Sequence, residues 1–440
     1  MPLNLFDLSL KLNGFPIKEA RPVLRAIQNL DDIGFKNYIE NQKTQIVNHH
    51  LNFNPFYQSL FNDTTFSTWD TVPIMTKSDL QQPLVNRLSD GFSSKTVYIN
   101  KTSGSSGDPF VFAKDKFCHA LTWAVIQDRF GWFNLNFNSS KQARFYGIPL
   151  DKKGYYQERF KDALSGRFRF SVYDLSDNAL EKHLQKFKTS NFDYINGYTS
   201  AIVQFAKFLE KKNLILKTVC PTLKACVVTS EMLFEDDKLL MEKQFGVPVV
   251  NEYGASELDL IAFQNPKDEW IVNSETLFVE IIDDNNQVLP YGQEGRVVIT
   301  SLFNKAHPFI RYDIGDIGIL SKNSTLKKPL LQKLIGRTND MAILPSGKKA
   351  AGLTFYYITK SIVEDDGNVK EFMIEQLDLQ TFKIIYVSEQ ELSDKQKKII
   401  IKEIENYLEK GLNIIFERQP YLKRSESGKL KQFSSLLHNL

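Results

Sequence analysis

The sequence predicts an α/β protein with a large, multi-sheet N-terminal domain and a small, mobile α+β C-terminal domain. Two observations carry that expectation. Between about residues 95 and 320, short β-rich runs alternate with helical stretches, the pattern of strands interleaved with helices. Beyond about residue 340 the pattern changes to a few strands, one turn and one amphipathic helix, which reads as a separate small domain.

The elements follow in order. Up to about residue 95 the chain reads as mainly helical, with aromatic and aliphatic positions between Asn, Asp and Pro breaks. Lys95-Thr-Val-Tyr-Ile-Asn100 has strand composition, and the residues after Lys114 read as a helix. Between them lies Thr102-Ser-Gly-Ser-Ser-Gly-Asp-Pro109. Leu180 to Lys212 reads as two helices around the polar loop Asn196-Gly-Tyr-Thr-Ser200. Leu223 to Thr229, Val247 to Asn251, Leu277 to Ile282 and Gly295 to Thr300 read as strands. In the last hundred or so residues, Met341-Ala-Ile-Leu344, the turn Pro345-Ser-Gly347 and strands Val369 to Gln376 and Thr381 to Val387 precede a helix near Ser393. Ser393 and Gln396 form a capping box. Ile400, Ile404 and Leu408 make a core stripe, and Lys397, Lys398 and Lys402 a solvated face.

A chain of 440 residues has room for roughly two or three domains. At 42% apolar and 24% charged residues, it is neither disordered nor fibrous in composition. Its 55 basic and 52 acidic residues nearly balance, so composition gives no reason to expect a nucleic-acid partner. The start lacks a basic, then apolar leader, and no run reaches the ~20 apolar residues of a membrane span; a cytoplasmic location is expected. Cys118, Cys220 and Cys226 cannot all pair within one chain, so buried or half-buried free thiols are expected. The six histidines show no zinc spacing.

Thr102 to Pro109 carries the first chemistry. Its two glycines free the backbone for turns, and several N–H groups and the hydroxyls of Thr102, Ser103, Ser105 and Ser106 can then approach one anion. A flexible Ser/Gly turn fits the loop equally well. It is not a Walker loop, because Asp108 and Pro109 stand where lysine and a hydroxyl residue belong.

Five further segments follow: Thr229-Ser-Glu231, Tyr253-Gly-Ala-Ser-Glu257, Arg311-Tyr-Asp-Ile-Gly-Asp316, Ile335-Gly-Arg-Thr-Asn-Asp340 and Arg424-Ser-Glu-Ser-Gly-Lys429. In this order the chain, over about residues 95 to 435, resembles the adenylate-forming superfamily of acyl- and aryl-CoA ligases, most closely the phenylacetate-CoA ligase-like branch. Phe145 to Pro149, Ser171 to Ser176 and Asn196 to Ser200 look more like the capsular polysaccharide biosynthesis proteins of that branch.

The resemblance implies roles for residues. Thr102 would act in catalysis, with Ser103, Gly104, Ser105, Ser106 and Gly107 cradling the nucleotide's phosphates. Tyr253 would stack on adenine, with Ser230, Glu231, Gly254 and Ser256 around it. Glu257 would be catalytic and would give an oxygen to Mg²⁺, which also needs phosphate oxygens. Asp316, beside a strand end, would accept from the ribose hydroxyls. Arg337 would contact ribose or phosphate.

Asp340 would be the hinge between a large domain, 1–337, and a small one, 338–440. Lys429, on the small domain, would be the catalytic ammonium between the acid's carboxylate and the α-phosphate. Tyr146, Tyr198 and Thr199, with Ala255 as floor, would form an apolar acid pocket. Asp108 departs from the lysine that relatives often carry near this proline, and Lys101 or Lys114 could compensate. ATP and Mg²⁺, a carboxylic acid, and CoA or an amine as acceptor are implied, and a homodimer is an expectation drawn from relatives. Two other readings stand beside the CoA ligase: an amide-forming ligase, on a sugar precursor as the capsular resemblance hints, and a nucleotide-binding protein without turnover.

Overall fold

Strands Tyr194–Tyr198 and Ala225–Thr229 are buried at every position, which requires a sheet covered on both faces. The computed structural model describes residues 5–61, 68–102, 110–148, 152–337, 341–351, 369–425 and 428–437. It divides into two compact units, Met1–Ile314 with Ile319–Gln332, and Gly315–Gly318 with Lys333–Leu440.

The first unit opens with helices α1 (Leu5–Leu12), α2 (Ile17–Gln28), α3 (Asp32–Phe53) and α4 (Pro55–Ser59). Asp31 caps α3 by accepting from the N–H of Gly34 at 2.7 Å, and Asn54 caps α4 through the N–H of Tyr57 at 2.8 Å; such caps satisfy donors that a helix start leaves without partners. Then come β1 (Tyr98–Lys101), β2 (Val111–Lys114), α5 (Lys116–Gly131), β3 (Gln142–Phe145), α6 (Lys152–Leu164), β4 (Arg167–Phe170), α7 (Asp177–Lys188), β5 (Tyr194–Tyr198) and α8 (Thr199–Lys211). After α9 (Leu216–Val219) follow β6 (Ala225–Thr229), α10 (Glu235–Phe245), β7 (Val249–Ala255), β8 (Asp259–Gln264) and β9 (Trp270–Val272).

Seven of these strands form one sheet in the order β4-β3-β5-β6-β7-β8-β9. It is parallel from β4 to β7 and antiparallel beyond. Alternate residues feed two cores. Phe145, Ile195, Cys226 and Val228 pack with Leu184, Phe205 and Phe245 from α7, α8 and α10. Tyr194, Ala225, Val227 and Val250 pack on the other face with Leu24 of α2 and Leu121 and Val125 of α5. Four later strands, β10 (Leu277–Ile282), β11 (Glu294–Ser301), β12 (Tyr312–Leu320) and β13 (Leu331–Arg337), make a second sheet in chain order.

Three sequence expectations are corrected. A strand, β2, stands between the Gly/Ser segment and α5, because Tyr98–Lys101 pairs antiparallel with Val111–Lys114; the segment joins strand to strand, not strand to helix. Asn196-Gly-Tyr198 is central strand β5, not a loop between helices. Glycine is needed there because a Cβ on Gly197 would lie 2.2 Å from the carbonyl oxygen of Phe145 on neighbouring β3. Asp316 lies within β12 rather than at its end.

In the second unit, strands Asn413–Arg418, Thr381–Ser388, Val369–Gln376 and Phe433–Ser435 lie side by side in that order. Helix Asp394–Tyr407 carries the Ser393/Gln396 capping box read from the sequence. Ile400 and Ile404 are buried, and Lys398 and Lys402 exposed. Gln376 is fully buried; its amide donates to the carbonyl of Ile343 at 2.6 Å and accepts from the N–H of Ile343 at 3.2 Å, joining the hairpin of Met341–Ile343 and Lys349–Ala351 to this sheet.

Candidate active site

In the parallel part of the main sheet, the chain leaves β3 for β4 on one side and returns to β5 on the other. Crevices for ligands form outside the C-terminal ends of strands at such a reversal. Tyr146 follows β3, Tyr198 ends β5 and Thr199 starts α8. The two tyrosine rings lie 4.6 Å apart, tilted by 55°. Thr199 is buried and donates through Oγ1 to the carbonyl of Glu231 at 3.3 Å.

Ser230 and Glu231 follow β6 at the same edge. Ser230 takes φ +69°, a left-handed conformation uncommon outside glycine. Glu231 accepts the N–H of Ser200 at 2.7 Å, so its carboxylate caps α8, where negative charge and open N–H donors meet. The sequence suggested a nucleotide role for this carboxylate and missed its work on the helix; its signal was a Thr-Ser pair starting an apolar helix 31 residues upstream.

Tyr253 to Glu257 forms the hairpin between β7 and β8. A bulge falls at Tyr253 and Gly254, and a Cβ on Gly254 would stand 2.5 Å from the carbonyl of Asp259, so the bulge demands glycine. Tyr253 is buried, its ring edge-on to Trp270 at 6.3 Å. Ala255 is half-buried and Ser256 exposed. Glu257 is buried and accepts from the hydroxyl of Tyr312 at 3.1 Å. A single buried carboxylate suits a hard Mg²⁺ only with phosphate oxygens completing the shell; among the described residues there is no group of three or more metal-ligating His, Cys, Asp or Glu side chains.

The β1–β2 pair that carries the Gly/Ser loop is tied to this hairpin at its far end. Thr102 and Phe110 close the loop, the N–H of Thr102 donating to the Phe110 carbonyl at 3.0 Å and the N–H of Phe110 to Thr102 Oγ1 at 3.1 Å. Ser103, Gly104, Ser105, Ser106, Gly107 and Asp108 lie outside the described residues. At the other end of β2, the ammonium of Lys114, 3% exposed, pairs with Asp259. Lys114 is therefore engaged by an acid of its own, while Lys101 is exposed. Asp259, at φ +57°, was not singled out by the sequence, since nothing local marks a residue whose partner is 145 positions away. Arg311 is another such residue: it is 2% exposed, 3.4 Å from Glu280, and donates to the carbonyl of Val72 at 3.0 Å.

Within the second unit, Asp316 and Arg337 come together, with Arg337 Nε 3.3 Å from Asp316 Oδ1. Asp316 is buried and Arg337 exposed. Lys429 closes a tight loop. Its N–H donates to Ser425 Oγ at 3.0 Å, and its carbonyl accepts the N–H of Ser425 at 3.0 Å. Gly428 takes φ +88°, which the turn requires. Leu422 and Leu430 anchor the loop's ends beside Ile385, and Arg424 pairs with Glu371 at 2.7 Å. Asp340 lies outside the described residues.

A cavity of about 180 Å³ adjoins Tyr146 and runs along the face of the sheet below α5. Its wall carries Gln142, Arg144, Arg167, Asn196 and Glu252, and Tyr146, Tyr198, Thr199 and Ala255 are not in its lining. Asn196 accepts from Gln142 at 3.1 Å and from the Tyr146 hydroxyl at 3.4 Å, and the Arg144 guanidinium lies 4.3 Å over the Tyr146 ring. Burial raises the Glu252 carboxyl to about 7, against the pull of the Thr229 hydroxyl and Arg144. Burial, with the charge of Arg144, holds the Arg167 guanidinium below its usual range.

No family model matches the chain. The protein CapK of Staphylococcus aureus is 24% identical over 347 residues, covering 77% of this chain and 73% of CapK. The phenylacetate-coenzyme A ligase of Aromatoleum evansii is 25% identical over 284 residues; the match covers 62% of this chain and 61% of the ligase. Among solved structures, 2-hydroxyisobutyryl-CoA ligase with R3-HIB-AMP in the postadenylation state superposes with a TM-score of 0.67 at 15% identity, over 89% of this chain and 87% of that one. Amide bond synthetase McbA from Marinactinospora thermotolerans gives 0.53 at 14% identity, over 77% and 69%. Among the described residues no helix is long and apolar enough to cross a membrane. With this fold, these relatives and the ordered motifs from Thr102 to Lys429, the chain is similar in sequence to CapK and the phenylacetate-CoA ligases and shares the fold of adenylate-forming ligases.

Proposed function

We propose that the protein is an ATP-dependent, AMP-forming ligase that activates a carboxylic acid as its acyl-adenylate and passes the acyl group to the thiol of CoA. The observation that carries this reading is the gathering, at the C-terminal ends of β3, β5, β6 and β7, of Tyr146, Tyr198 with Thr199, Ser230 with Glu231, and Tyr253 to Glu257. Four segments separated in sequence meet at one sheet edge, where a nucleotide and an acid would bind together.

In the first step a carboxylate oxygen of the acid forms a bond to the α-phosphorus of ATP, and the bond from that phosphorus to the bridging oxygen breaks, releasing pyrophosphate. The substrate supplies the attacking oxygen, so no side-chain nucleophile is needed. In the second, the CoA sulfur bonds to the acyl carbon, AMP leaves and the thiol proton is released. Thr102 and the Gly/Ser loop would hold the departing phosphates. Tyr253 would pack on adenine, and Asp316, oriented by Arg337, would accept from ribose. Lys429 would place its ammonium where charge grows in the first step. Mg²⁺, held by Glu257 and phosphate oxygens, would supply charge neutralisation on the phosphates. Asp340 would be the hinge about which the small domain, 338–440, turns between the two steps, as the large domain, 1–337, holds the adenylate.

Amide formation is the second reading. The fold likeness to an amide bond synthetase and the sequence resemblance to capsular polysaccharide biosynthesis proteins favour it. The experiment is carboxylate-dependent ATP–pyrophosphate exchange across a panel of acids, followed by CoA or amines and the mass of the product. Lys429→Ala is expected to lower exchange by about 10²–10³-fold. If Lys429→Ala and Asp316→Ala both exchange at the wild-type rate, the assigned site is wrong.

A further inference from the structure

The cavity beside Tyr146 is built for something polar. Its volume of about 180 Å³ slightly exceeds the ~150 Å³ void that accepts a benzene molecule, which is room for a group of about six heavy atoms. Voids lined only by aliphatic and aromatic carbon stay dry. Here one wall, from Trp123, Ile126 and Phe130, is apolar, while the sheet side carries two guanidinium groups, two amides and a carboxyl.

One donor on that wall lacks an acceptor, and a second is held only by an ion pair. Nε of Arg144 and Nε of Arg167 are buried and make no hydrogen bond among the described residues. Arg144 lies over the Tyr146 ring and acts on the Glu252 carboxyl. Arg167 Nε lies 3.3 Å from Asp162, but both oxygens of Asp162 already accept from Arg169, at 2.9 and 3.2 Å. A buried donor without an acceptor is costly, more so on a charged group. Arg167 thus has an ion pair within the fold, while the buried Nε of Arg144 makes no hydrogen bond among the described residues.

The cavity also runs the right way. Its lining spans Tyr194 at the start of β5 to Glu252, which is level with Thr229 and so with Tyr198 at the end of β5. At ~3.3 Å per residue that is about 13 Å along the sheet, from the start of β5 to the level at which Tyr198 ends it. We infer that the acid activated at this edge of the sheet carries a second oxygen acceptor, a carboxylate or hydroxyl, which enters the cavity and takes the Nε donor of Arg144, with the Arg167 guanidinium on the same wall. This rests on the adenylation reading. Glu252, facing the same space, adjusts to the guest: as a neutral acid it donates to a carboxylate, and as an anion it accepts from a hydroxyl.

The test pairs straight-chain and phenyl acids with their ω-carboxy, ω-hydroxy and ring-hydroxy counterparts, in pyrophosphate exchange and, separately, by calorimetric binding of each acid to the full chain without ATP. The oxygen-bearing acid of a pair is expected to be favoured by about 10- to 100-fold in kcat/KM. Arg144→Gln should shrink that preference at least ~tenfold, and Arg144→Lys, which keeps the charge without the fork, should restore part of it. Arg167→Gln, on the same wall, gives the same reading if Arg144→Gln does not fold. Equal use of plain and oxygen-bearing acids, or a preference unmoved by both arginine variants, overturns the inference and leaves adenylation standing. Arginine-dependent binding without exchange overturns adenylation and keeps the cavity's assignment. Absence of both binding and exchange overturns both.

Discussion

Asp259→Asn isolates the contact that fixes the far end of the β1–β2 pair. The residue sits at φ +57°, which asparagine tolerates as well as aspartate does, so the substitution removes the charge and leaves the backbone in place. Its partner, the Lys114 ammonium, is 3% exposed and Asp259 24%. Removing one member of a buried pair leaves the other charge uncompensated, at a cost of about 3–5 kcal/mol. The partial exposure of Asp259 puts the expected loss at the lower end, about 3 kcal/mol, which is two orders of magnitude in the folding equilibrium. Lys114→Met removes the stranded charge, so the double variant Lys114→Met with Asp259→Asn should lose less than the sum of the single variants, by about 1.5 kcal/mol or more. Urea unfolding followed by tryptophan fluorescence is the assay. Trp69, Trp123, Trp132 and Trp270 are the chain's four tryptophans and all lie in the first unit, so the signal reports that unit without mixing in the other. A loss below about 0.5 kcal/mol, or additive single variants, refutes the view that this pair is structurally coupled.

Three further outcomes are expected. Gly197→Ala should destabilise the first unit by about 3 kcal/mol, because a Cβ 2.2 Å from the Phe145 carbonyl forces neighbouring strands apart; a urea midpoint within error of wild type contradicts this. Glu252, raised by burial from 4.5 to about 7, binds its proton more tightly when folded, so stability should fall as pH rises from about 4.5 through 7. Thr229, Arg144 and Asp259 act on that carboxyl, and Glu252→Gln should flatten the slope in that window; an unchanged slope refutes the assignment. Cys118, Cys220 and Cys226 are all buried, and burial raises the Cys118 and Cys226 thiols, so an aromatic disulfide reagent should label no thiol in minutes on the native chain and three after denaturation.

Where structure followed from the sequence, the signal was local. The Ser393/Gln396 capping box formed, because a cap depends on residues three apart. The strands Val369–Gln376 and Thr381–Ser388 show the alternation of a sheet with one side turned inward. Asn196-Gly-Tyr198 failed for the opposite reason. A polar residue, a glycine and a tyrosine look like a turn unless one knows that β3 runs alongside and that the glycine makes room for it. Thr102 to Pro109 likewise needed β2, whose pairing with β1 makes the segment a connection between strands rather than from strand to helix.

The sequence by itself determined the α/β class and the order of the motifs, because helical and strand periodicities and short functional segments are written in neighbouring residues. Tertiary structure alone decided which distant groups share a site. It paired Lys114 with Asp259, joined Tyr312 to Glu257, turned Glu231 onto the start of α8, and left Arg144 and Arg167 facing one cavity. Charge pairing, capping across strands and unmet hydrogen-bond donors depend on distance in space, and strand order rather than chain order sets that distance.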